Sequence, residues 1–273
     1  MRLENERSSF VLVSRIHLIL KMKNKMKEIS SIKRTARIAG FLYLLQIPLG
    51  VFGIVYVPKS LIVIGNSEKT VSNILANEFL FRLSIVSAIL CALVTIATAV
   101  YIYNVLKSVN KRHAKWILLF TLMVAPITMI NELNNVAVLV LLKYPQYSPA
   151  FSSDQLYNMV SIFLDLHQYG LQIAGIFFGL WLFPMGYLVF KSTYIPKIIG
   201  ILLIITCIGY LIDFTTFFLF PNFPIIVSEY TWLGEVLMVL WLLIKGVNIK
   251  KFERWHEDQN LILLRNSFPD PAK

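Results

Sequence analysis

A chain of 273 residues that is 57% hydrophobic and 15% charged, with a mean hydropathy of +0.67, is too apolar for a soluble domain, where about a quarter of residues carry charge. The formal charge of +11 does not indicate nucleic acid as a partner, because Lys and Arg gather at the flanks of the apolar stretches. Only two cysteines occur, Cys91 and Cys207, each inside an apolar run. That excludes a disulfide framework or thiolate metal motif, and both read as small packing residues.

Residues 1–32 form a basic arm. Its apolar patch, Phe10–Leu20, is interrupted by Arg15 and His17, so it is neither a signal-peptide core nor a spanning helix. Three readings stay open: disorder, an interfacial amphipathic helix on an anionic leaflet, or sequence ahead of a start at Met22 or Met26. A membrane domain, 33–245, follows with six apolar stretches. The first, Ile38–Val57, makes about 30 Å of helix and is expected to end at Pro58. A loop with a short helix near Val71–Arg82 leads to the second span, Leu83–Leu106. The third, Trp116–Leu142, contains Pro126 as an expected kink and the polar run Asn131-Glu132-Leu133-Asn134-Asn135. The loop Lys143–Gln155 precedes the fourth, Ser161–Phe190. The fifth is Ile198–Phe220, and Pro221 and Pro224 turn the chain into the sixth, Ile225–Ile244. From 246 to 273 the tail is charged and reads as soluble.

The fold class is therefore all-α, an integral membrane bundle of six transmembrane helices. Of the 26 Lys and Arg, 22 fall in residues 1–37, the 107–115 and 191–197 loops and the chain from Lys245 onward, against 4 on the opposite face. The positive-inside rule then puts both termini in the cytoplasm. Trp116, Trp232, Tyr144, Tyr147 and Tyr230 read as interfacial belt residues.

Ionisable groups inside such helices are costly and usually face the bundle interior or a polar path. They are Glu132, Asp165, His167, Asp213 and Glu235, with Asn131 and Asn135 beside Glu132, and Arg82 near the outer end of the second span. At 1.5 Å per residue Glu132 lies about 24 Å from Trp116, Asp213 about 22 Å from Ile198, and Glu235 about 15 Å from Lys245. All fall between the midplane and the outer surface, which predicts an outward-facing polar, acidic cavity. Asn131 and Asn135 share a face, as do His167 and Gly170, and Tyr210 and Asp213. Asp165 and His167, two apart, point away from each other. Gly175 and Gly179 form a GxxxG pattern suited to close helix approach.

No HExxH, GxSxG, Walker A, CxxC or GxGxxG motif is present. His167 is the only histidine within the spans, so His167, Asp165 and Asp213 are weak metal candidates, suited at most to a hard cation. No cofactor is identified.

Several local patterns are shared with a known family. Ala36-Arg-Ile-Ala-Gly-Phe-Leu-Tyr-Leu-Leu45, Leu164-Asp-Leu-His-Gln-Tyr-Gly170, Phe177-Phe-Gly-Leu180 and Gly209-Tyr-Leu-Ile-Asp213 resemble a bacterial multi-pass membrane family catalogued as domain of unknown function 4386. The resemblance covers roughly Lys33–Lys245. It implies an inner-membrane protein of about six spans and supplies no reaction.

Three functions stay open. One is small-solute or cation binding, transport or sensing in the acidic cavity. The second is an intramembrane enzyme on a lipid-type substrate, with His167 and a carboxylate as acid and base. The third is a structural or accessory protein whose acids are interhelical hydrogen-bonding glue. The partners are the lipid bilayer and a small solute or cation, and the oligomeric state is open.

Overall fold

The computed structural model describes residues 31–143, 151–220 and 223–267, with 259–267 described by backbone alone. The Phe10–Leu20 readings and the belt residues Tyr144 and Tyr147 lie outside the described residues. Those described form helices and connections, with no strand among them.

Among the described residues, five helices are long and apolar enough to cross a membrane: α1 (Ser31–Leu61), α3 (Glu78–Leu106), α4 (Lys111–Lys143), α5 (Ser153–Lys191) and α6 (Lys197–Leu219). Between α1 and α3 lies α2 (Ser67–Ala76), started by Asn66, whose side chain accepts from the Lys69 N–H at 2.9 Å. The chain continues through α7 (Ser228–Thr231), α8 (Leu233–Ile244) and α9 (Ile249–Ser267); Ser228–Ile244 and Ile249–Asp258 are together long and apolar enough for a sixth span, but a 97° bend separates them. The chain is thus a multi-pass helical membrane protein in contact with the lipid bilayer.

Helix ends differ from the hydropathy boundaries for local reasons. Pro58 does not end α1. The helix widens into a π segment over Val51–Tyr56, and Pro58 falls in the first turn of the resumed α-helix, Val57–Leu61, where its missing N–H is tolerated. The helix stops instead at Ile62, in extended conformation. The α2 helix begins at Ser67, directly after its Asn66 cap and four residues before the expected Val71. The α5 helix begins eight residues before Ser161, because Ser152 and Gln155 close a reciprocal capping box. Pro126 lies inside α4 without ending it. The expected soluble tail is a helix whose first turns pack on the bundle. Phe252 is buried edge-on to Tyr194 at 5.2 Å, and the Asn248 N–H donates to the Tyr194 carbonyl at 3.2 Å.

Small residues set the interhelical distances. A Cβ on Gly186 would stand 2.7 Å from the Gly200 carbonyl oxygen, so α5 and α6 meet backbone to backbone. Of the GxxxG pair only Gly179 is used, against Tyr210, while a Cβ on Gly175 would meet no neighbouring helix within 4 Å. Along α1 and α3 the contact is a polar ladder. Gln46 donates to Thr98 Oγ1 at 2.7 Å and accepts from Thr95 Oγ1 at 2.9 Å, and Ser87 donates to the Leu49 carbonyl.

The two ends of the bundle differ in charge. Tyr194 donates to the Val105 carbonyl at 2.9 Å, and Gly246 packs against the Lys33 backbone. These contacts gather the start of α1, the 107–111 and 192–196 connections and the start of α9 at one end. Lys59, Lys69, Arg82 and Lys143 belong to the other. Among the described residues, most Lys and Arg lie at the first of these ends.

Candidate functional site

The central polar contact joins α4 and α5. Glu132 Oε1 lies 3.0 Å from His167 Nε2, and Glu132 Oε2 accepts from Asn135 Nδ2 at 2.8 Å. All three side chains are buried, Glu132 at 2% exposure and His167 and Asn135 at 6%. The helical period explains the first half of this arrangement, since Glu132 and Asn135 are three apart on one helix face. Antiparallel packing supplies the second. Counted along the helices, Glu132 stands about 24 Å from Trp116, and His167 about 25 Å from Pro184.

Asn131 clamps the pair from the same face. Its Nδ2 donates to the His167 carbonyl at 2.8 Å, and its Oδ1 accepts from Asn134 at 3.0 Å. Glycine at 170 makes room for this, since a Cβ there would collide with the Asn131 amide. The polar run and the Asp-x-His-x-Tyr-Gly run therefore interlock.

The remaining predicted residues do not join this contact. Glu235 Oε2 accepts from the Tyr43 phenol at 2.5 Å, and Tyr210 lies beside the same carboxyl. Tyr43 is itself held edge-on by Trp181 at 5.5 Å. Asp213 acts as a cap. Its two oxygens accept the Val227 and Ser228 N–H groups at 2.6 and 2.8 Å, at the start of α7. Asp165 is exposed on the opposite flank of α5 from His167, about 3 Å nearer the helix start. Arg82 pairs at 2.8 Å with Glu78, which Lys143 also contacts at 2.6 Å.

No group of three or more His, Cys, Asp or Glu able to hold a metal occurs among the described residues. The weak candidates Asp165, His167 and Asp213 thus occupy separate places. Sequence reading missed Tyr43 and Gln46, both polar side chains in an otherwise apolar helix. That polarity was the available signal.

Chemically, the Glu132–His167 contact can exist in two charge states. With one proton shared between carboxylate and imidazole the pair carries one negative charge, and a second proton makes it neutral overall, either as an ion pair or as two neutral groups. In a buried site one proton therefore changes the net charge while both side chains remain within hydrogen-bond reach.

A family model described as Domain of unknown function (DUF4386) matches residues 38–246. An uncharacterized protein of Archaeoglobus fulgidus is 33% identical over 181 residues, 64% of this chain and 93% of that protein. No solved structure matches the chain.

Proposed function

Since the chain belongs to the DUF4386 family, a domain of unknown function, we propose its role from the bundle itself: small-solute or cation transport or sensing, in which the buried Glu132–His167 contact takes up a proton or a small cation. The observation that carries this reading is that one carboxylate and one imidazole meet between two membrane helices, with the Asn135 amide donating to the carboxylate and the Asn131 amide to the His167 carbonyl. Such a pair is costly to keep in a bilayer and is repaid most directly by a role that uses its charge. The nearest ion cluster, Glu78 with Arg82 and Lys143, lies about 16 Å away along α4, so it does not neutralise the pair. With both termini in the cytoplasm and the protein in the inner (plasma) membrane, the site sits in the outer half of the bilayer.

The test is infrared titration of the reconstituted protein beside cation flux into proteoliposomes. A carboxyl C=O band should grow as pH falls and vanish in Glu132→Gln, and flux should drop in both Glu132→Gln and His167→Gln. An unchanged band together with flux equal to that of protein-free vesicles would overturn the reading.

One observation favours the accessory alternative. Asp213 satisfies two backbone N–H groups, a structural duty that needs no ligand. On that reading the Glu132 contact is glue of the same kind, and the variants lower stability while leaving every titration in place.

A further inference from the structure

At the basic end of the bundle, Lys33, Arg34, Arg37, Ile38 and Phe41 line a cleft of about 560 Å³. Residues 34, 37, 38 and 41 recur at three- and four-residue steps and so share one face of α1. Arg34 and Arg37 are exposed, and among the described residues no ion pair engages Lys33, Arg34 or Arg37. The same side continues inward through Phe41, Leu44 and Leu45, left 58%, 42% and 36% exposed by the bundle. Measured along the helix, Arg37 stands about 6 Å from Phe41 and about 12 Å from Leu45.

A second basic row lies beside the first. Gly246, with φ +67°, turns the chain against the Lys33 backbone, and the 97° bend then carries Ile249–Asp258 across this end. Phe252 faces inward, whereas Lys250, Lys251 and Arg254 are exposed. Their spacing repeats that of Lys33, Arg34 and Arg37.

Unpaired cations above an exposed apolar strip, on a helix embedded in lipid, complement a molecule that is anionic at one end and apolar along the rest. The geometry points to a binding site for an anionic phospholipid, its phosphate held by Lys33, Arg34 and Arg37 and its acyl chain laid along Ile38, Phe41 and Leu45. Lys250, Lys251 and Arg254 border the site, but Glu253, Glu257 and Asp258 on the same segment balance their charge, so the α1 row carries the attraction. This site is independent of Glu132 and His167, which lie on other helices toward the opposite end.

The test uses the full chain in phosphatidylcholine nanodiscs doped with spin-labelled phosphatidylglycerol or spin-labelled phosphatidylcholine, reading the motionally restricted fraction. The wild type should retain phosphatidylglycerol about tenfold better than phosphatidylcholine, and the double variant Arg34→Gln/Arg37→Gln should fall to within about twofold. Arg34→Lys/Arg37→Lys should keep most of the preference. Phe41→Ala, which alters no charge, should weaken retention of long-chain but not of short-chain phosphatidylglycerol. Equal retention of both lipids by the wild type, or an unchanged preference in the double glutamine variant, would overturn the proposal. Displacement of the label by excess inorganic phosphate would overturn it too, by making this a free-anion site.

Discussion

Truncating Glu132 to alanine should cost far more than any single contact in the bundle suggests. The carboxylate satisfies two buried donors or acceptors, His167 Nε2 at 3.0 Å and Asn135 Nδ2 at 2.8 Å, and the alanine leaves both without a partner. An orphaned buried polar group costs about 1–3 kcal/mol, so two give a loss of about 2–6 kcal/mol. Membrane hydrogen bonds measured by double-mutant cycles are weaker, about 0.6 kcal/mol on average, because the unfolded chain in lipid also finds partners. The expected loss is therefore near the lower end, about 2–3 kcal/mol. Glu132→Gln keeps an acceptor for Asn135 and a donor for the imidazole, and should lose only about 1 kcal/mol. Reversible unfolding in mixed micelles reads these values. The deciding quantity is the coupling in the cycle Glu132→Ala, His167→Ala and the double variant, expected at about 1 kcal/mol or more. Additivity within about 0.3 kcal/mol would refute the pair as an energetic unit.

The glycine contacts give an internally controlled series. Gly186→Ala pushes a Cβ to 2.7 Å from the Gly200 carbonyl oxygen, which cannot swing aside, and should lower stability by about 1–3 kcal/mol, whereas Gly175→Ala meets nothing and should be neutral in the same unfolding assay. Gly170→Ala displaces the Asn131 side chain and should cost about 1 kcal/mol through the lost bond to the His167 carbonyl, visible as faster amide exchange in the middle of α5. Tyr43→Phe keeps the Trp181 contact and removes the hydrogen bond to Glu235, and should cost about 1 kcal/mol, with Tyr43→Phe/Tyr210→Phe losing more than the sum of the two singles. In the connection between α5 and α6, burial pushes the Tyr194 phenol up to about 12, with the Ser108 hydroxyl pulling slightly back. A raised value favours the neutral phenol in the fold, so this stability is complete below about pH 10 and about 2–3 kcal/mol is lost as pH rises through 12. Tyr194→Phe should remove that alkaline loss in an unfolding series run against pH.

The spans were legible because a bilayer demands about 20 apolar residues in a row, and that demand dominates every other signal. Their ends were not, because α5 runs past the hydrocarbon into polar sequence that hydropathy discards. The Ser152-to-Gln155 capping box carries that boundary instead. The start of the last apolar stretch is likewise local: α7 is only 4 residues long, and the N–H groups at its start depend on Asp213, fourteen positions before Val227. Spacing within a helix correctly placed Asn135 with Glu132 and turned Asp165 away from His167. It gave no means of pairing Glu132 with a partner 35 positions away on another helix. The acids looked like one cavity because their depths were similar, but depth says nothing of azimuth. Rotation about each helix axis sends Glu235 to Tyr43 and Asp213 to the start of α7.

The π segment at Val51–Tyr56 has a consequence for how this gene tolerates change in length. A π turn holds an extra residue relative to an α-helix, so losing one exposed residue there, such as Val55, lets the segment close into ordinary helix. The flanking turns then keep their facing. Tyr43 and Gln46 on one side, and Val57 and Leu61 on the other, stay with their partners. The same loss between Tyr43 and Gln46 meets a stretch with no residue to spare, and it would turn one half of α1 by about 100° against the other. A single-codon deletion would thus be absorbed at one point of this helix and felt as a misdirected face about three turns away.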